Sequence, residues 1–259
     1  MTTDQVEAPL YKPIIRNVAP EQPWTWLSAG WRDMWRAPQI SLAYGIAFSV
    51  ISAALTAGLF FSGMAYLLLP LSAGFLLLGP MLAVGMYEAS RRLETGQPMT
   101  LGDVMFVKTR SPTQLAFLGV LLMLFMLAWV RIATLLFALF MQSTFPPVDQ
   151  WVSVLLFTPN GLGLLIVGGI IGGVLAVIVF ALTAISVPML MVHDVDTITA
   201  MVASVNAVRQ NLWPMLLWGW LIALLTAVGI ATLFVGLAVT FPLVGHATWH
   251  AYRSLVENA

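Results

Sequence analysis

The stretch "GLGLLIVGGIIGGVLAVIVFALTAISVPMLM" (residues 161–191) contains no charged side chain. A helix needs about 20 mainly apolar residues to cross roughly 30 Å of hydrocarbon. In lipid every backbone polar group must bond within its own segment, so a lone apolar run of this length is a transmembrane α-helix. Reading it that way sets the fold class.

The rest of the chain agrees. Its 259 residues are 60% hydrophobic and 8% charged, with a mean hydropathy of +0.92, far from the composition of soluble domains. Eleven basic and eleven acidic residues cancel, leaving no basic field for nucleic acid. The absence of cysteine removes disulfides, thiolate metal sites and thiol nucleophiles. The opening residues lack the early apolar core and small-residue cleavage pattern of a secretory signal, so the first membrane helix is expected to be a retained anchor.

The hydrocarbon-length rule predicts spans near 39–61, 64–90, 115–141, 161–191, 213–232 and 234–252. The expected fold is all-α: one polytopic domain over 24–256, with six transmembrane helices in three hairpins, behind a polar tail over 1–23. Tight turns are expected around Phe61-Ser62-Gly63 and around Gly229 to Thr232. Five spans is the alternative. With the amino terminus inside, Lys12, Arg16, Arg32, Arg36, Arg91, Arg92, Lys108, Arg110 and Arg209 are cytoplasmic, and six spans add Arg253. The outer loops then carry only Asp149, which favours six spans and cytoplasmic termini.

A repeat lies beneath the hairpins. "GPMLAVGMYEASRRL" (79–93) and "FPLVGHATWHAYRSL" (241–255) align without gaps, pairing Pro80 with Pro242, Tyr87 with Trp249 and Arg91 with Arg253. "VPML" (187–190) echoes them weakly. Short amphipathic stretches precede proline-led spans at 24–38, 100–112 and 196–214. Trp24, Leu27, Trp31 and Trp35 follow helical spacing, as do Ile198, Met201, Val202 and Val205. Trp24–Arg36 and Asp196–Asn211 are therefore expected along the inner membrane surface. "PPVDQWVSVLLF" (146–157) reads as an outer interfacial segment anchored by Trp151.

His246 and His250 are one helical turn apart and, with His193, form the candidate metal or haem ligand set. A site needs further ligands. Interfacial histidines more often hydrogen-bond or cap, so no metal and no cofactor is expected. Arg131 is an intramembrane charge, which is a functional hypothesis by default. It lies roughly 25 Å along its helix from Gln114, where it can snorkel to the outer headgroups. Glu88 reads as a surface partner of Arg91 and Arg92. Gly168/Gly172 and Gly169/Gly173 form two overlapping pairs suited to close helix packing, within the chain or with another subunit. No phosphate loop, HExxH or GxSxG motif is present, and the chain is not expected to be an enzyme.

"GPMLAVGMYEASRR", "SVPMLMVHDVD", "TAMVASVNAVRQNLWPMLLWGWLIALLT" and "GHATWHAYR" resemble a group of bacterial integral membrane proteins classed as a domain of unknown function, mostly proteobacterial. The resemblance covers about residues 24–256 and implies the bacterial inner membrane. Some similar sequences are labelled cytochrome c oxidase subunit I. That subunit is similar to a twelve-span bundle with six histidine ligands, which this chain lacks. What survives is an accessory or assembly subunit acting through membrane lipids and other membrane proteins, with a respiratory complex as one partner. The alternatives are a transporter for a small molecule or lipid, and a haem- or metal-binding protein through His246 and His250.

Overall fold

The computed structural model describes residues 13–141 and 150–257. Lys12, Asp149 and residues 146–149 of the outer segment lie outside these. Twelve α-helices and no strand occur among the described residues, in an order that repeats three times. The first unit is α1 (Gln22–Arg36), α2 (Pro38–Phe61), a 3-10 turn (Ala65–Leu67), α3 (Leu68–Leu82) and α4 (Val84–Thr95). The second is α5 (Leu101–Met105), α6 (Pro112–Met141), α7 (Trp151–Phe157), α8 (Pro159–Thr183) and α9 (Ser186–Val192). The third is α10 (Thr197–Gln210), α11 (Leu212–Ala231) and α12 (Leu237–Leu255). Each is a short lead-in helix followed by two long helical segments; α6 packs on α8 and α11 on α12, as the expected hairpins require, whereas α2 packs on α12 and barely touches α3.

Local chemistry sets the helix ends. Thr100 and Asp103 form a capping box at α5, and the side chains of Thr158 and Asp196 accept from Gly161 and Thr199 at the starts of α8 and α10. Such caps satisfy the free amides of a first turn. Gly63, at φ +71°, makes the expected first hairpin turn. The last turn falls beyond the expected Gly229–Thr232, at Leu233 and Phe234, which both take positive φ. Gly229 stays within α11, where a Cβ would collide with Leu237 and lie 2.7 Å from Thr240 Oγ1. Its missing side chain serves the α11–α12 crossing.

Among the described residues, five helices are long and apolar enough to cross a membrane: Pro38–Phe61, Ala65–Thr95, Pro112–Met141, Pro159–Val192 and Leu212–Ala231. The expected sixth span is a separate helix, α12, that does not meet this test. The expectation of an apolar sixth span is corrected, for a physical reason. Helix α12 buries much of its length, from Leu237 to Leu255, and neighbours shield its polar side chains from lipid. It still returns the chain across the bundle: Ile15 bridges to Val256, and Arg16 N donates to Leu255 O at 2.8 Å. Both ends of the described chain therefore meet at one end of the bundle, where an odd number of passes would separate them.

The core forms around α12. At Gly30 and Gly45 a Cβ would lie 2.6 Å from Ala247 N and 2.1 Å from Ala238 O, so α1 and α2 touch its backbone directly. Trp26 meets Trp218 edge to face at 5.7 Å. Helix α1 turns Trp26, Ala29, Gly30, Asp33 and Met34 inward and leaves Trp24, Trp31 and Trp35 exposed, with Leu27 half-buried. Helix α10 likewise exposes Ile198 and Val202 and half-buries Met201 and Val205.

Candidate functional site

Asp33 occupies the inward stripe of α1, three residues past Gly30 and surrounded by apolar positions. A carboxylate there must find donors. Ser90 Oγ of α4 donates to Asp33 Oδ2 at 2.9 Å, and His250 Nε2 of α12 lies 2.7 Å from the same oxygen. Ser90 Oγ is also 2.8 Å from His246 Nδ1, and His246 Nε2 is 2.9 Å from Ser41 Oγ at the start of α2. Asp33, Ser41, Ser90 and His246 are each at most 3% exposed.

The donor count fixes the direction of the chain. Ser90 has one hydroxyl proton and gives it to Asp33, so it accepts from His246 Nδ1–H. The neutral ring then accepts at Nε2 from Ser41. The order is Ser41, His246, Ser90 and Asp33, with His250 donating from the far side. Burial raises the Asp33 pKa, but the hydrogen bonds from His250 and Ser90, helped by the charge of His250, outweigh it and hold the carboxyl below its ordinary value. Arg36 Nη1 stands 3.5 Å from the other oxygen.

A serine, a histidine and a carboxylate in series resemble a nucleophile with its base. Here, however, the groups are buried and none of the five residues lines the clefts described below. The arrangement pins α1, α2 and α4 onto α12.

A second ionic layer follows toward the chain ends. Glu88, 3% exposed, takes both Arg91 (2.7 and 2.8 Å) and Arg92 (2.7 Å), so it is a buried carboxylate and not the surface partner expected. Arg92 continues to Asp103 of α5 at 3.1 Å. Glu94 accepts from Trp249 Nε1 at 3.1 Å and from Arg253 at 3.0 Å.

The remaining candidates separate. His193 follows α9, away from the other two histidines; its carbonyl accepts from Ser111. Burial, then the charge of Arg253, pushes its imidazole below the ordinary value. No group of three or more His, Asp or Glu residues able to hold a metal occurs among the described residues. His246 is fully buried, with both ring nitrogens facing serines. Arg131 is exposed on α6 and makes no ion pair among the described residues.

The two glycine pairs face different ways. A Cβ at Gly172 would lie 2.8 Å from the Trp129 ring, and one at Gly168 would touch Leu136, so this pair packs on α6. Gly169 and Gly173 have nothing within 4 Å of a Cβ. All four line an apolar cleft of ≈ 510 Å³ among α3, α6, α7 and α8.

The residues of the polar chain other than the histidines escaped sequence reading. The available signal was Asp33 itself, an acid at i+3 and i+7 of the buried stripe Trp26, Gly30 and Met34. Its partners lie up to 217 residues away, beyond any local pattern.

Residues 68–192 match the model of a family described as predicted integral membrane protein (DUF2189). No curated protein and no solved structure matches the chain. The match covers α3 to α9 and stops short of α1 and α12, which carry Asp33 and the two histidines.

Proposed function

We propose that this integral membrane protein is a non-catalytic subunit that acts through another membrane protein, docked on the α8 face that carries Gly169 and Gly173. One observation carries the reading. Of two overlapping small-residue pairs, one already packs on α6, and the other has nothing within 4 Å of a Cβ, on an apolar cleft that all four glycines line. Membrane helices associate where small residues let backbones approach closely. Closure of the Asp33–His246 chain supports a structural role for it. The meeting of both chain ends on the Arg16, Arg91 and Arg253 side supports cytoplasmic termini in a bacterial inner membrane. A respiratory oxidase is the first partner to seek, on the labels of similar sequences alone.

The test is purification in mild detergent with identification of co-purifying proteins. Gly169→Leu with Gly173→Leu meets open space, so the protein keeps its fold while the partner is lost. Retention of every partner by this variant overturns the proposal. So does a haem band or stoichiometric metal that disappears in His246→Ala with His250→Ala. A second reading, a transporter for a lipid or small molecule, draws on the size of the same cleft. It requires flux into liposomes by the purified chain alone.

A further inference from the structure

A second cleft, of ≈ 320 Å³, runs between α3 and α4, α8, and the helices of the third unit. Its α11 wall extends from Leu212 to Thr226, about 21 Å at a rise of about 1.5 Å per residue. That volume over that length is a slot roughly one hydrocarbon chain wide. Its floor is interior, with Leu77, Val179, Thr183 and Trp218 at most 4% exposed, and its rim is open, with Leu212, Leu216 and Trp220 exposed. A hydrocarbon chain can enter across that rim and reach the floor.

Four hydroxyl-bearing residues line the slot, and they fall into two kinds. Thr183 and Thr248 donate to Val179 O and Val244 O of their own helices. Tyr87 and Thr226 also line it, at 2% and 8% exposure, and neither hydroxyl has a partner among the described residues. A hydroxyl that faces apolar surroundings without a partner is costly, and native structures leave few. Tyr87 is the more telling. It stands in the first turn of α4, at the slot end bordered by Val208 and Leu212, and exposed Arg209 follows Val208. Hydrocarbon gives way to polar heads at such a boundary, where tyrosine rings favour lying with the apolar body inward and the hydroxyl toward ester groups.

We propose that the slot holds one acyl chain of a membrane phospholipid. The chain lies between α3, α8 and α11, its ester carbonyl accepts from the Tyr87 hydroxyl, and its phosphate is directed toward Arg209. Slot width selects a single chain; the tyrosine sets its depth. The slot shares Leu76, Leu77, Ala176 and Ala223 with the cleft at the Gly169/Gly173 face, while Tyr87 and Thr226 line the slot alone; the assignment does not rest on that face.

The test uses the full chain in nanodiscs containing phosphatidylglycerol with a photoactivatable diazirine on one acyl chain. Adducts should concentrate on half-buried slot residues such as Phe75 and Phe180. Ala223→Phe, which narrows the slot, should lower them about fivefold and leave adducts at Ile170 and Val174 unchanged. Ala176→Leu narrows the same slot from α8 and gives the same reading where Ala223→Phe does not fold. Tyr87→Phe should reduce the phosphatidylglycerol retained through purification by about fivefold, the worth of one hydrogen bond, at unchanged melting temperature. Adducts spread evenly over the lipid-facing surface and indifferent to Ala223→Phe overturn the proposal. So does wild-type retention by Tyr87→Phe, loss on Thr226→Val but not on Tyr87→Phe, or displacement by palmitate and not by unlabelled phosphatidylglycerol.

Discussion

Asp33 Oδ2 and His250 Nε2 lie 2.7 Å apart across 217 residues of chain, joining the first described helix to the last. In lipid the hydrophobic effect does little to press helices together, so such polar contacts and close backbone approach hold a bundle. A double-mutant cycle with Asp33→Asn and His250→Gln should show a coupling of about 1–3 kcal/mol. Thermal unfolding in detergent measures it, and strictly additive losses would show that the pair does not act together.

Stability should fall in acid through Asp33. Its folded pKa is lowered because the bonds from His250 and Ser90 overcome the burial that raises it. A carboxyl depressed on folding contributes stability that is fully present above its unfolded pKa and is lost as pH falls through the folded one. The wild type should therefore lose melting temperature below the ordinary carboxylate range. Asp33→Asn should start lower and lack that component.

His246→Ala should destabilise by about 2–4 kcal/mol, because it opens a cavity and strands the Ser41 hydroxyl, while Ser90 keeps its bond to Asp33. Adding Ser41→Ala should restore part of the loss, since an absent hydroxyl needs no partner. A double variant worse than the single by the full cost of Ser41→Ala would contradict the assigned chain.

Gly172→Leu should lower the melting temperature, because the new Cβ starts 2.8 Å from the Trp129 ring, whose indole donates to Pro70 O at 2.8 Å. Overpacking of this kind costs about 1–3 kcal/mol. Gly173→Leu, one residue on, should melt within about 0.5 kcal/mol of wild type, as substitutions away from packed features do. Equal losses at both positions would mean that α8 sits differently against α6.

Arg131→Ala should leave expression and melting unchanged within about 0.5 kcal/mol, since an exposed arginine near a headgroup layer contributes little. Loss of function at a normal protein level would instead restore a role for that intramembrane charge.

Much of the architecture follows from the chain order alone. An uncharged run such as 161–191 has one low-energy conformation in lipid, so span positions and the first turn at Gly63 are local consequences of length and hydropathy, while the packing of α2 on α12 and not on α3 is decided by the tertiary structure. The lead-in helices are legible for the same reason, through the helical spacing of Trp24, Trp31 and Trp35 and the caps at Thr100 and Asp196. Helix α12 marks where this ends. Its His246, Thr248, His250 and Arg253 make it look like a poor span or a ligand set, and composition does not distinguish a polar face toward water from one toward other helices. Only the tertiary structure brings Asp33, Ser41 and Ser90 around it. Their burial is tolerable because each donor meets an acceptor from a distant part of the chain. The glycine pairs divide likewise: both suit close packing in sequence, and the position of Trp129 decides that Gly168 and Gly172 are covered while Gly169 and Gly173 stay open.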